Sequence, residues 1–262
     1  MHTLSYAATA YTPTRACVAM RQSYELNGMQ QMSDSPEQAR LTQAQSEARL
    51  LAAAEGFARA ELARDSTGHD FAHIERVRRL AEIIAREEGA DVFVCALAAL
   101  LHDIADYKIA GDEATGLARV RDWLAAHHAD AAGAETTARV MEIIATMSFA
   151  GGARPPMTTL EGRVVQDADR LDAIGAIGVA RAFAFGGAKG RALYDPDQAP
   201  RAAMTTEQYR AGDASTLNHF YEKLLLLKDR MNTQYARQLA AQRHAYMRAF
   251  LDEFLAEWSG ER

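Results

Sequence analysis

Ten consecutive apolar residues, VFVCALAALL from Val92 to Leu101, run straight into the pair His102–Asp103. A helix that is apolar on every face has to be enclosed by other elements rather than laid on a surface. At ten residues the run is half of the roughly 20 needed to cross a bilayer. The expected enclosure is therefore protein, with Asp91 placed to cap the start of the helix. Burial of such a helix does not call for a charged end. The His–Asp pair is either a terminus meeting water, with His102 a core histidine, or two ligands of one metal ion.

The partners of this central helix are themselves helical. QSEARLLAAAEGFARAELAR has apolar residues at three-and-four spacing, the mark of an amphipathic helix. After the turn cluster DSTGHD comes FAHIERVRRLAEIIAREEG, with Asp70 as N-cap and Gly89 as stop. DEATGLARVRDWLAAHH, AETTARVMEIIATMS, TTLEGRVVQDADRLDAIGAIGVARAFAF (bent at its glycines), STLNHFYEKLLLLKDR and TQYARQLAAQRHAYMRAFLDEFLAEW continue the pattern. No stretch alternates as a half-buried strand does. SFAGGARPPM (148–157) and FGGAKGRALYDPDQAPRAAM (185–204) read as irregular, and the second is long enough for a functional lid or a disordered segment. The expected fold is all-α, a single-domain helical bundle over residues 41–262. Residues 1–40 read as a disordered N-terminal extension, with a transit peptide or a start at Met29 or Met32 as alternatives.

The chain has 262 residues, 48% of them hydrophobic and 24% charged, an ordinary globular balance. A net charge of −6 gives no field favouring a nucleic-acid polymer or an anionic membrane. Cys17 and Cys95 form no CxxC pattern, which fits a reducing cytoplasm. The basic positions Lys223, Lys228, Arg230, Arg237, Arg243 and Arg248 could make a nucleic-acid stripe. The simpler reading is the wet face of a long amphipathic helix, whose aliphatic stems cover the core. Tyr221, Tyr235, Tyr246, Phe250, Phe254 and Trp258 are candidates for the core or for a homodimer contact.

Company shifts the balance for His102–Asp103. His73 lies near a helix start in GHDFAHIERV, with Arg76 three residues on and roughly on the same face. VVQDADRLDAIGA sets Asp167, Asp169 and Asp172 among Val164, Val165, Leu171, Ile174 and Ile177, where a solvated face does not account for them. A buried carboxylate needs a cation or strong hydrogen bonds. Two neutral imidazoles and two carboxylates from three helices suit one divalent ion, Mn, Fe, Co or Ni, with Mg also admissible. The two carboxylates neutralise it, and octahedral positions remain for water and a substrate oxygen. Successive helix residues point about 100° apart, so His102 and Asp103 can flank one ion only where the helix ends or its turn loosens.

His73, the His102–Asp103 pair and Asp169 together resemble the H…HD…D signature of the HD-domain metal-dependent phosphohydrolases. GHDFAHIERVRRLA, AALLHDIADYK, VVQDADRLDAIGAIGVARAFAFGG, ALYDP and HFYEKLLLLKDRMNT look like one bacterial branch of small HD hydrolases, whose members have been associated with nucleotide pyrophosphohydrolase activity. The resemblance covers roughly residues 45 to 258. It is specific for the family and much less so for the substrate. It implies an HD-type bundle with His73, His102, Asp103 and Asp169 as metal ligands, Asp169 being preferred to Asp167 because ADRL matches the final aspartate element. Asp106 stands where related enzymes carry an acid thought to handle a proton; its other reading is a surface acid at a helix end. The implied substrate is a small phosphorylated molecule, most specifically a nucleoside triphosphate cleaved to monophosphate and pyrophosphate. Nucleoside monophosphate phosphatase or phosphodiesterase activity, and a non-catalytic metal-bound nucleotide sensor, are the alternatives.

Arg76, Lys108 and Arg170 adjoin the ligands and are candidates to hold phosphoryl oxygens. Arg76 or Arg170 could equally pair with Asp70 or Asp172. Lys189 in FGGAKG is a weaker candidate, since the segment lacks P-loop spacing. His69 and Asp172 are read as supports of the site or as cap residues.

Overall fold

A computed structural model describes residues 36–63, 71–106, 110–127, 133–147, 156–201 and 214–262. His69, Asp70 and Lys108 lie outside the described residues. Glu47–Arg262 forms one compact unit. Its helices are α1 (Pro36–Leu62, whose opening turns precede the unit), α2 (Phe71–Glu88), α3 (Val92–Leu101), α4 (Glu113–His127), α5 (Gly133–Thr146), α6 (Leu160–Asp172), α7 (Gly175–Ala188), α8 (Thr216–Glu222) and α9 (Gln234–Ser259). No strand occurs among the described residues, so the fold is the all-α bundle the periodicity predicts. Among the described residues no single helix is long and apolar enough to cross a membrane.

α3 is the enclosed element. Every residue from Val94 to Leu101 is buried, and α2, α5 and α6 pack around it. The Asp91 carboxylate caps α3 by accepting from Val94 N at 3.1 Å. Gly89, at φ 73°, ends α2, and the Ala90 N–H returns to Ala85 O at 2.9 Å in the closing pattern of a helix that stops on a left-handed residue. α1 contributes Leu50, Ala54, Ala58 and Leu62, four-residue steps along one buried face.

Three stretches differ from expectation. α1 begins at Pro36, so residues 36–40 of the expected disordered extension are helical. Proline followed by glutamate suits a first turn, where the missing N–H costs nothing and an acid meets the positive helix end. The glycine-rich segment from Phe185 is not irregular at its start, because α7 runs to Ala188. Gly186 is there because a side chain would collide with Thr216, whose Oγ1 would lie 2.1 Å from an added Cβ. Beyond α7 the described chain to Arg201 is tied down rather than free. Thr216 N and Leu217 N donate to Ala192 O and Leu193 O, and Arg201 pairs with buried Glu222 at 2.9 Å. Finally, STLNHFYEKLLLLKDR divides at Lys223 into α8 and a 3-10 segment, Leu224–Arg230.

Candidate metal centre

α3 ends at Leu101, and His102–Ala105 tightens into a single 3-10 turn. The pair therefore sits at a helix end, where two neighbouring side chains can turn toward one ion. α2 and α6 pack against each other, which sets His73 opposite Asp169 and Asp172. His73, His102 and Asp169 each offer a ligand atom within 4.8 Å of the others. Asp103 joins them, with one carboxylate oxygen 3.4 Å from His73 Nε2 and the other 3.2 Å from His102 Nε2. Asp169 Oδ1 lies 3.5 Å from His73 Nε2 and 3.9 Å from His102 Nε2. Adjacent ligands of an octahedral ion with bonds of about 2.1 Å are about 3 Å apart, and the nitrogen–oxygen separations of 3.2–3.9 Å here are near that spacing.

The tautomers follow from the partners of the other ring nitrogens. His102 Nδ1 lies 2.8 Å from Ala99 O. A carbonyl only accepts, so Nδ1 carries the proton and Nε2 is bare. That Nε2 is buried and has no hydrogen-bond partner. His73 Nδ1 lies 2.7 Å from Asp172 Oδ2. Burial alone would raise the Asp172 carboxyl, but hydrogen bonds from His73 and Arg76 and the charge of Arg181 hold it well below the usual carboxylate range. With guanidinium donors on both of its oxygens, Asp172 accepts from the ring, so His73 Nδ1 is the donor and, in the neutral ring, Nε2 is the bare nitrogen. Two imidazole nitrogens and two carboxylates thus converge. Such a group repels itself unless a cation, or a proton, sits among them. The proton's pull is visible at His102: burial lowers its pKa, but Asp103 first, then Asp169, turn the net shift upward.

The donor set fits a divalent ion of intermediate hardness. The side chains of His73, His102 and Asp103 are at most 7% exposed, whereas that of Asp169 is 40% exposed. The site therefore opens to solvent on the Asp169 side. Asp106 closes the 3-10 turn in extended conformation, its N–H donating to Asp103 O at 3.0 Å, and its charge is felt at His102.

The other predicted residues divide. Asp167 sits on the opposite face of α6 from Asp169. Fully buried, it accepts from Asn232 N and from Thr233 N and Oγ1 at 2.8–3.0 Å, fixing the start of α9. Arg76 binds Asp172 with two donors, at 2.7 and 3.0 Å, so its guanidinium orients a carboxylate behind His73. Arg170 donates to Arg230 O, and burial depresses its pKa. Lys189 is exposed just beyond α7, near the Phe185 ring. Sequence reasoning missed Arg181, whose Nη1 lies 2.5 Å from Asp172 Oδ2. Its signal was a single guanidinium in an otherwise uncharged helix, GAIGVARAFAFGGA.

Residues 70–174 match the HD domain family, a span that takes in all four converging side chains. YpgQ of Bacillus subtilis is 43% identical over 190 residues, 71% of this chain and 83% of YpgQ. Its crystal structure in complex with ADP aligns with a TM-score of 0.62 at 39% identity, covering 79% of this chain and 96% of that one. An HD-superfamily hydrolase from Bacillus thuringiensis aligns with a TM-score of 0.64 at 44% identity, covering 81% and 98%. A protein from Lactobacillus plantarum aligns with a TM-score of 0.71 at 44% identity, covering 80% and 97%. The geometry and these likenesses agree: the chain belongs to the HD-domain family of metal-dependent phosphohydrolases.

Proposed function

We propose that the protein hydrolyses a nucleotide at this centre, most specifically a nucleoside triphosphate to monophosphate and pyrophosphate. The observation that carries the reading is the convergence of His73 Nε2, His102 Nε2, Asp103 and Asp169, with both imidazole tautomers set by their far nitrogens. A divalent ion held by these four residues supplies Lewis acidity toward a phosphoryl oxygen and lowers the pKa of water. The exposed side of Asp169 admits the phosphate. Asp106, beside the ligand pair, takes the proton released as water attacks and returns it to the departing oxygen. Lys108, two residues beyond Asp106, supplies a cationic donor to phosphoryl oxygens. The nucleotide is supported by YpgQ, which was crystallised with ADP.

The test is a panel of nucleoside triphosphates, monophosphates and phosphodiesters with Mn²⁺ or Co²⁺, products being identified by phosphorus NMR. Pyrophosphate and a monophosphate are the expected products. Inorganic phosphate from monophosphates, or cleavage of diesters alone, moves the activity to the corresponding class. Binding without turnover of any nucleotide would identify a sensor and defeat the hydrolytic reading.

A further inference from the structure

We propose that Arg181 is a positioning residue for the metal-facing imidazole of His73, acting through Asp172. The inference rests on the reading that His73 Nε2 faces a cation, and it concerns what holds that ring in place.

A carboxylate behind a ligating histidine sets the ring's tautomer and its orientation. A carboxylate held by one histidine alone can still rotate about its own bonds. Asp172 cannot do so without breaking other contacts. Arg76 Nε holds Oδ1 at 2.7 Å, while Oδ2 receives Arg76 Nη2 at 3.0 Å, Arg181 Nη1 at 2.5 Å and His73 Nδ1 at 2.7 Å. Asp172 is only 2% exposed, and a charge buried that deeply is tolerated when it is paired and fully hydrogen-bonded.

Arg181 reaches Asp172 because the chain doubles back. α6 ends at Asp172, and α7 leaves at an angle of 65° to it. Gly175 takes φ 78°, a left-handed conformation that costs glycine little. Gly178 must lack a side chain because an added Cβ would stand 2.3 Å from Ala173 O. From the far side, Arg243 packs over Gly175 and donates to Leu171 O at 2.5 Å, a carbonyl in the last turn of α6 that also accepts from the Ile174 N–H at 3.2 Å. The elbow is thus fixed by two glycines and an arginine, and it returns Arg181 to a residue nine positions earlier.

Arg181 Nη1 also lies 3.0 Å from His73 Nδ1. A guanidinium only donates. With Asp172 neutralised to an amide, Arg181 would favour a bare Nδ1 and so push the ring proton onto Nε2, where it blocks a cation. The pair therefore acts as a unit, and the two losses should not multiply.

The experiment uses Arg181→Met, Arg181→Lys, Asp172→Asn and the double variant Arg181→Met/Asp172→Asn in the full chain. Two readouts are taken: the His73 ring tautomer by two-bond ¹H–¹⁵N spectra of chelator-treated protein at pH 8, and Co²⁺ affinity by calorimetry. In the unaltered protein the Nδ1-protonated form is expected. Arg181→Met should lose that single tautomer and bind Co²⁺ about 10- to 100-fold more weakly. Arg181→Lys should fall between, and the double variant should bind no more weakly than Asp172→Asn. Arg181→Met with unchanged tautomer and affinity, or losses that multiply in the double variant, would overturn the proposal. If the Met variant does not fold, Arg181→Lys decides, and a Lys variant identical to the unaltered protein counts against it. Should the unaltered protein bind no Co²⁺, the reading of the metal centre fails, while the tautomer spectra still decide the role of Arg181.

Discussion

His102 meets opposed demands. Its burial disfavours a charge, yet Asp103 and Asp169 draw a proton to it strongly enough to raise its pKa above the ordinary value of about 6.5. A group whose folded pKa is raised contributes stability that is complete below the unfolded pKa and is lost as pH rises through the folded one. A metal needs the same nitrogen bare, so its contribution runs the other way. In chelator-treated protein the melting temperature should therefore decline from about pH 6.5 upward, and the increment from saturating Mn²⁺ should grow over the same interval. Scanning fluorimetry with and without the ion measures both; an increment indifferent to pH would contradict the assignment. The same helix shows what single residues disclose. The carboxylates in VVQDADRLD stood out as unexplained by solvation, and all three are engaged. Their division of labour follows helix phase: Asp169 and Asp172 lie about 60° apart, while Asp167 is about 160° from Asp169 and reaches α9. Periodicity marks that Asp167 and Asp169 differ, but not which face meets which neighbour. Arg76 is a similar case. Its spacing from His73 puts it on the face that meets α6, yet whether it met a phosphate or a carboxylate depended on where α6 came to lie.

The 3-10 turn that carries His102 and Asp103 is backed directly by α4. Gly116 makes the approach: a Cβ there would lie 2.7 Å from Ala105 Cα and 2.8 Å from Ile104 O. Glycine to alanine inside a helix ordinarily stabilises by about 0.5–1 kcal/mol. Here the new methyl meets backbone, and overpacking of that kind costs about 1–3 kcal/mol. Gly116→Ala should thus lower the melting temperature, by about 2–4 °C per kcal/mol for a unit of this size, and weaken metal binding as the turn shifts. A variant that melts higher with unchanged affinity would show that α4 does not set the turn. Neither Gly116 nor the α6–α7 elbow was legible as a device. DAIGAIG shows two glycines and hence a bend, but the angle that returns Arg181 to Asp172 comes from contacts with Ala173 and Arg243 that only the folded chain makes.

Across the molecule, the helical order and the central place of α3 were readable because hydrophobic periodicity and an all-round apolar run leave few alternatives. The candidate site was readable for a related reason: polar groups ending or interrupting buried helices need partners, and His73, His102–Asp103 and Asp169 are one another's. The phosphate-binding candidates were less so, since a cation two or three residues from a ligand can turn either toward the substrate or into the scaffold, as Arg76 and Arg170 do. The central claim is that these four side chains share one divalent ion. Its most direct test is an anomalous difference map from crystals grown with Mn²⁺. The account predicts one strong peak within about 2.0–2.3 Å of His73 Nε2, His102 Nε2 and a carboxylate oxygen each of Asp103 and Asp169. No peak there at saturating Mn²⁺, or an ion bound elsewhere while this cluster stays protonated, would contradict it.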